Sequence, residues 1–94
     1  MFHGGVFRGS HDEPPSNWSP FPVVKLTDDI YYGWPDGEDK PWFYHWCTER
    51  NLWRGAGTGG HDLVSREPLH LEPSLLWPCC NLHGWCRNSK WTPA

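Results

Sequence analysis

The clearest pattern along the chain is the aromatic run Trp42-Phe43-Tyr44-His45-Trp46-Cys47. Successive side chains of a strand leave opposite faces, so Trp42, Tyr44 and Trp46 would share one face. Bulky residues occupy the other face as well, which predicts a central strand that is covered on both sides. Shorter runs of apolar, aromatic and β-branched residues predict further strands, at Val23–Leu26, Ile30–Tyr32, Leu69–Glu72, Leu75–Trp77 and Leu82–Arg87.

Turn residues separate these runs and suggest how the strands connect. Thr27-Asp28-Asp29 and Pro35-Asp36-Gly37 are typical turns, and Asn88-Ser89 predicts a tight hairpin turn because Asn tolerates positive φ. Residues 48–53 are compatible with one helical turn, and residues 55–60 with a flexible loop. The pattern predicts an all-β or β-rich small single domain with five or six short antiparallel strands and a C-terminal hairpin.

The first 22 residues predict an extended Pro/Gly-rich N-terminal arm, which leaves residues 23–94 as the single β-rich domain. Ordering a backbone costs about 1–2 kcal/mol per residue. Four aromatic anchors that each return about 1.5–3 kcal/mol fall short of this sum, so the arm is expected to lie against another chain. These anchors are Phe2, Phe7, Trp18 and Phe21.

Composition adds eight tryptophans among 94 residues and a formal net charge of −3. The tryptophans either form the core or provide a platform for sugars or a protein partner, with Trp34, Trp42, Trp46 and Trp53 as the candidates. The charge gives no basic surface for nucleic acid, and no apolar run reaches the roughly 20 residues that cross a membrane. Without a secretion signal, the expected location is the host cytoplasm, or the virion if the protein is a phage structural component, and no cofactor is expected.

The densest chemistry lies between Glu67 and Trp91, where Ser74 and His83 form a candidate nucleophile and base. A serine attacks a carbonyl only when a base can take its proton and a third group orients that base. Pairing of the strands around Ser74 and His83 would bring the two side chains together. Glu72, two residues before Ser74, is the candidate acid.

Zinc binding is the competing interpretation of this stretch. Cys80, His83 and Cys86 have the two-residue gaps of a zinc knuckle, and Cys47 is a candidate fourth ligand. In a strand, however, His83 and Cys86 leave opposite faces, so we expect no zinc at this set. Buried thiols are the simpler interpretation, and four cysteines allow three disulfide pairings between which the sequence does not choose.

Two stretches, Arg66–Leu75 and Cys80–Trp91, resemble the BubE-like family of small bacterial and phage proteins. That family is linked to bacterial ubiquitin-like conjugation operons. Its pattern has a Pro-Thr-x-Ser-Pro-Ser-Ile-like segment and a short spacer. Cys-His or Cys-Gly-x-His, an aromatic residue, Arg-Asp/Asn-Gly and Lys-aromatic follow. Pro73-Ser74-Leu75 matches the first part, and the second part is matched by Cys80, His83, Trp85, Arg87, Asn88, Lys90 and Trp91.

The resemblance implies a serine peptidase that cuts after a ubiquitin-like C-terminus, with Ser74 as nucleophile and His83 as base. Two positions depart from the family pattern. Glu72 stands where the family has its first serine, and Ser89 replaces the turn glycine. The role of Glu72 as acid is therefore an argument from its position in this chain.

Three functions remain open at this point. The first is the serine peptidase with Ser74, His83 and Glu72, acting on a protein C-terminus such as that of a ubiquitin-like substrate. The second is a non-catalytic bacteriophage virion accessory protein of the tail or capsid, which docks on the phage particle through the arm and a Trp-rich surface. The third is a zinc-stapled interaction module. Each implies a protein partner, and neither nucleic acid nor a membrane is expected as a partner.

Overall fold

The structure is a computed structural model that describes the backbone of residues 5–94 and the side chains from residue 9 onward. Within this range it contains ten strands and one short 3-10 turn, and all strand pairs are antiparallel. The predicted β-rich class with short antiparallel strands is confirmed, whereas the predicted number of five or six strands is too low for the ten that the described range contains. Contacts divide the chain into two compact units, residues 1–58 and 59–94, so the predicted boundary at residue 22 falls inside the first unit. No helix in the described range is long and apolar enough to cross a bilayer.

The first unit contains a five-stranded sheet in the order β1-β5-β4-β3-β2. The aromatic run forms β4 and occupies the middle of this sheet, as predicted. The strands are β1 (Gly5–Arg8), β2 (Val23–Thr27), β3 (Ile30–Gly33), β4 (Trp42–Cys47) and β5 (Leu52–Gly57).

Most of the aromatic residues of the first unit form its core. Trp42 and Tyr44 on one face of β4 belong to a buried cluster with Phe21, Tyr31 and Trp53. The opposite face of β4 is buried as well, through Phe43, His45 and Cys47. Burial of Trp42 and Trp53 therefore favours the core interpretation of the tryptophans over an exposed platform, while Trp46 packs half-buried against the cluster.

The described part of the N-terminal segment packs against its own unit, and its expected docking on another chain stays a prediction. β1 pairs with β5, Pro15–Asn17 forms the 3-10 turn, and Phe21 stacks on Tyr44 with ring centroids 6.0 Å apart. Strand hydrogen bonds and core burial offset an ordering cost that the aromatic anchors alone could not cover. Of the four anchors, Phe2 and the side chain of Phe7 lie outside the described part of the chain.

The predicted loop over residues 55–60 is wrong for its first half, because Gly55–Gly57 belong to β5. This strand pairs with β4 along its whole length, from Cys47↔Leu52 to Trp42↔Gly57. The predicted helical turn is a tight turn before β5, closed by a 2.7 Å hydrogen bond from the Asn51 N–H to the Cys47 carbonyl. A Cβ on Gly57 would lie 3.6 Å from the Trp42 ring, which is an ordinary van der Waals contact, so the close pairing of β5 with β4 does not by itself exclude a small side chain there.

The second unit contains a two-stranded and a three-stranded sheet. The strands are β6 (Asp62–Ser65), β7 (His70–Glu72), β8 (Leu75–Trp77), β9 (Leu82–Arg87) and β10 (Lys90–Pro93), with β6 paired to β7 and the other three in the order β10-β9-β8. β6 was not predicted. The C-terminal hairpin is confirmed, since Asn88 and Ser89 both have positive φ, 55° and 56°, as a type I′ turn requires.

The two faces of the three-stranded sheet differ in burial. Leu75, Trp77 and Cys86 are buried on the inner face, while Leu76 on the outer face keeps 54% of its surface exposed. Gly84 also lies on the inner face and leaves room for Trp91, since a Cβ at Gly84 would approach the Trp91 ring to 2.6 Å. Alternation along β9 therefore sends His83 outward and Cys86 inward.

Phe21→Ala should destabilise the isolated chain by about 3 kcal/mol, because it removes a buried ring from the aromatic cluster. The measurement is denaturant unfolding of the monomer. The matched control is Val24→Ala, which truncates a side chain that is 53% exposed and should cost less than about 1 kcal/mol. Equal, small effects of the two substitutions would mean that residues 1–22 need another chain for their packing.

Gly84→Ala should destabilise the protein by about 1–3 kcal/mol, because the added methyl overlaps its neighbours. Its Cβ would lie 2.5 Å from the Thr92 carbonyl oxygen, whereas a Cβ at Gly60 would meet nothing within 4 Å. Thermal unfolding of Gly84→Ala against Gly60→Ala tests this difference. Similar melting temperatures for the two variants would contradict the close packing of Trp91 on β9.

Candidate active site

The pairing of β8 with β9 brings Ser74 and His83 into contact. Leu76 lies opposite His83, and Ser74 precedes Leu76 by two residues and so leaves the same face. The Ser74 Oγ and the His83 Nε2 are 2.8 Å apart, which is a good hydrogen-bond distance. The predicted contact is therefore confirmed, and because both side chains are half-buried it is open to solvent on the outer face.

A second histidine, His61, contacts Ser74 from the residue before β6. Its Nε2 donates a hydrogen bond to the Ser74 carbonyl oxygen at 3.0 Å. Because a carbonyl only accepts, the Nε2 of His61 must carry a proton. The His61 Nδ1 is buried and has no hydrogen-bond partner among the described residues. Sequence reasoning missed His61, since no motif or spacing connects it to Ser74.

Glu72 does not contact His83, which corrects its expected role as the acid that orients the base. Its carboxylate accepts two hydrogen bonds from Arg87, at 2.7 and 2.9 Å, and one from His70 Nε2 at 2.7 Å. These bonds, those from Arg87 first, lower the pKa of Glu72 to about 2. Arg87 lies four residues beyond His83 on the same face of β9, and the carboxylate is bonded to Arg87 and His70 instead of to the imidazole.

The outer face of β9 carries a row of three side chains beside the serine. The His83 and Trp85 rings lie 5.9 Å apart, and the Arg87 guanidinium lies 5.5 Å from the Trp85 ring centroid. Leu76, on the neighbouring strand, is opposite His83. The Ser74–His83 pair is thus bordered by exposed apolar surface from Leu76 and Trp85.

This arrangement can support general-base activation of a serine. When the Ser74 hydroxyl donates to Nε2, the proton of neutral His83 resides on Nδ1. No acceptor in the described part of the chain holds that Nδ1 proton. The site is consequently a serine–histidine dyad, in which packing beside Trp85, rather than a carboxylate, constrains the imidazole.

The cysteines do not complete a zinc knuckle around His83. Cys86 points to the buried face of the sheet and His83 to the outer face, as the strand argument predicted. Burial raises the pKa of Cys86 to about 11, which keeps this thiol protonated. Cys79 and Cys80 lie in the turn between β8 and β9, and their Sγ atoms are 3.9 Å apart. None of the four cysteines is in a disulfide.

No protein-family model, curated protein or solved structure matches this chain. The resemblance to the BubE-like family therefore stays a prediction that rests on the residues quoted above. What the structure adds is that Ser74 and His83, the two residues to which the resemblance gives catalytic roles, are hydrogen-bonded to each other.

Glu72→Gln should remove an acid-dependent part of the stability. A folded pKa near 2, below the ordinary 4.5, means that the unfolded chain takes up the proton first. The stabilisation is therefore complete above about pH 4.5 and is lost as the pH falls towards 2. We expect the wild type to exceed Glu72→Gln in melting temperature at pH 7, and the two curves to converge below pH 4.5.

The control for this comparison is Glu67→Gln, which makes the same change of charge at an exposed position. It should leave the slope of melting temperature against pH between 4.5 and 2 close to that of the wild type. A Glu67→Gln profile that matches the Glu72→Gln profile would show that net charge, rather than the contact with Arg87 and His70, sets the acid sensitivity.

Proposed function

We propose that this protein is a small serine hydrolase of the BubE-like kind, a peptidase that cleaves at a protein C-terminus. The observation that carries the proposal is the 2.8 Å contact between the Ser74 Oγ and the His83 Nε2 on a solvent-open face. A buried serine–histidine contact could be purely structural. This pair instead borders exposed side chains, where a substrate carbonyl can reach the hydroxyl.

Hydrolysis would run in two steps through an ester on Ser74. As Oγ attacks the substrate carbonyl carbon, its proton passes to the His83 Nε2. Collapse of the tetrahedral intermediate breaks the carbon–nitrogen bond, and the imidazolium gives its proton to the leaving amine. Water then gives a proton to His83 and attacks the ester, which releases the carboxylate and restores the Ser74 hydroxyl.

Two contacts would hold the nucleophile in place for this reaction. His61 fixes the Ser74 backbone through its carbonyl, and the Glu72–Arg87 pair ties the segment just before Ser74 to β9. Arg87 bonds both oxygens of the carboxylate, which restricts the orientation as well as the distance. In this proposal Glu72 and His61 are positioning residues, and the reacting groups are Ser74 and His83.

The surface beside the dyad suits an extended apolar peptide. Leu76 is 54% exposed and lies opposite His83, and Trp85 is partly exposed beside them. The resemblance supplies the narrower substrate class, the C-terminus of a ubiquitin-like protein, and with it the host cytoplasm as the place of action. Apolar contacts from Leu76 and Trp85 would bind residues on either side of the scissile bond.

The virion accessory function has less support from the contacts. That function requires an N-terminal arm that packs on a second protein, and tryptophans whose side chains are exposed for docking. Phe21 and Trp18 of the arm pack in their own unit, and Trp42 and Trp53 are core residues. Both features thus have an explanation within a single chain.

Ser74→Ala should abolish covalent labelling by a fluorophosphonate, a probe that phosphonylates activated serines with loss of fluoride and needs no known substrate. His83→Ala should slow labelling by about 10²–10⁴-fold, the usual contribution of a general base. Mass spectrometry of the labelled wild type should place the adduct on Ser74. Ser65→Ala, on β6, is the matched control and should label at the wild-type rate.

Melting temperatures separate catalysis from folding in this experiment. Among the described residues the Ser74 hydroxyl is hydrogen-bonded to His83 alone, so its removal should cost less than about 1 kcal/mol. Ser74→Ala that unfolds would identify Ser74 as structural. Labelling that persists in folded Ser74→Ala would exclude this serine as the nucleophile.

A further inference from the structure

Cys79 and Cys80 are neighbours in sequence whose sulfur atoms lie on the same side of the chain. They occupy the turn from Pro78 to Asn81, which joins β8 to β9. A 3.3 Å hydrogen bond from the Cys80 N–H to the Trp77 carbonyl closes this turn. In a strand the two side chains would diverge, whereas here the Sγ atoms are 3.9 Å apart and both residues are half-buried.

The separation of the two sulfurs matches the geometry of a metal site. Zinc binds thiolates at about 2.3 Å in a tetrahedral arrangement, which places two sulfurs on one ion about 3.8 Å apart. The 3.9 Å between the Cys79 and Cys80 Sγ atoms differs from this by about 0.1 Å. A disulfide would need the sulfurs about 1.9 Å closer, at about 2.0 Å. The turn therefore holds the two Sγ atoms at nearly the separation of two sulfur ligands on one zinc ion, and much farther apart than the sulfurs of a disulfide.

We propose that Cys79 and Cys80 bind Zn²⁺ as a pair of thiolate ligands at the turn between β8 and β9. Two thiolates occupy two of the four tetrahedral positions and leave the others to water or further donors. Soft sulfur ligands favour zinc over calcium or magnesium, which take oxygen. Binding displaces the two thiol protons and replaces the S–H···S contact with two zinc–sulfur bonds.

This site differs from the zinc knuckle expected from the spacing of Cys80, His83 and Cys86. In that arrangement the ion would need His83 and Cys86, which leave opposite faces of β9. Cys79 and Cys80 are adjacent in sequence and so lack the intervening residues that separate the cysteines of a zinc ribbon. The conformation of the turn brings their sulfur atoms together. The proposed site also makes no use of Ser74, so it stands or falls independently of hydrolysis.

Elemental analysis of the full chain purified with zinc, followed by dialysis, tests the proposal. We expect one zinc per chain in the wild type and loss of that zinc in Cys79→Ser/Cys80→Ser. Cys86→Ala and His83→Ala are the matched controls and should keep the metal. Absence of zinc from the wild type would overturn the proposal, as would zinc loss in either folded control, because that would assign the ion to the knuckle.

A measurement on the wild-type chain keeps the test independent of whether the double variant folds. Alkylation with iodoacetamide, read by mass spectrometry, should leave Cys79 and Cys80 unmodified while zinc is bound and modify both after treatment with a chelator. Cys86, which is 1% exposed, should be equally slow in both samples while the chain stays folded. Equal modification of Cys79 and Cys80 with and without the chelator would overturn the proposed site.

Discussion

Alternation along strand β9 is the constraint on which the second unit depends. Gly84 and Cys86 point into the sheet packing, and His83, Trp85 and Arg87 point outward. A shift of one residue would bury the imidazole and the guanidinium and expose the thiol, so the buried face specifies the register strongly. The type I′ turn at Asn88-Ser89 holds the same register from the other side, through its two positive φ angles.

The outward-facing side chains of β9 make both the contact with the candidate nucleophile and an ion pair on one surface of the sheet. His83 meets the Ser74 hydroxyl near the start of the strand, and Arg87 binds the Glu72 carboxylate near its end. These contacts share the short segment from Glu72 to Ser74, so the ion pair restrains the backbone that carries the serine. If Ser74 is the nucleophile that we propose, this support matters more for reactivity than the exposed ion pair does for stability, because small displacements of a reacting group reduce reactivity sharply.

The core of the first unit is built mainly from aromatic side chains, because this part of the chain has few aliphatic residues. Aromatic rings on β3, β4 and β5 contact one another, and Phe21 from the N-terminal segment completes the cluster. Two polar atoms of these rings have hydrogen-bond partners from the N-terminal segment: the Trp53 Nε1 donates to the Ser10 carbonyl at 3.1 Å, and the Tyr44 hydroxyl lies 3.1 Å from the Ser19 hydroxyl. The N-terminal segment is thus part of the packing that makes a short chain stable.

The local sequence was enough to predict a strand when residues within it, or the turn next to it, determine which faces are buried or where the strand ends. Trp42–Cys47 has bulky residues on both faces, and Leu82–Arg87 ends at a turn that tolerates positive φ, so both strands were predicted with their observed bounds. The Ser74–His83 contact followed as well, because the two residues flank a short hairpin whose register leaves few alternatives.

Only the tertiary structure decided features that depend on a partner distant in sequence. Gly55 is weak in strand propensity by itself, but β4 supplies an edge of hydrogen-bonding groups that draws it into β5. Glu72 stands near Ser74 along the chain, yet Arg87 binds it because a guanidinium fork matches both carboxylate oxygens. His61 reaches Ser74 across 13 residues, and no sequence pattern marks such a contact, since it depends on where the loop before β6 is placed.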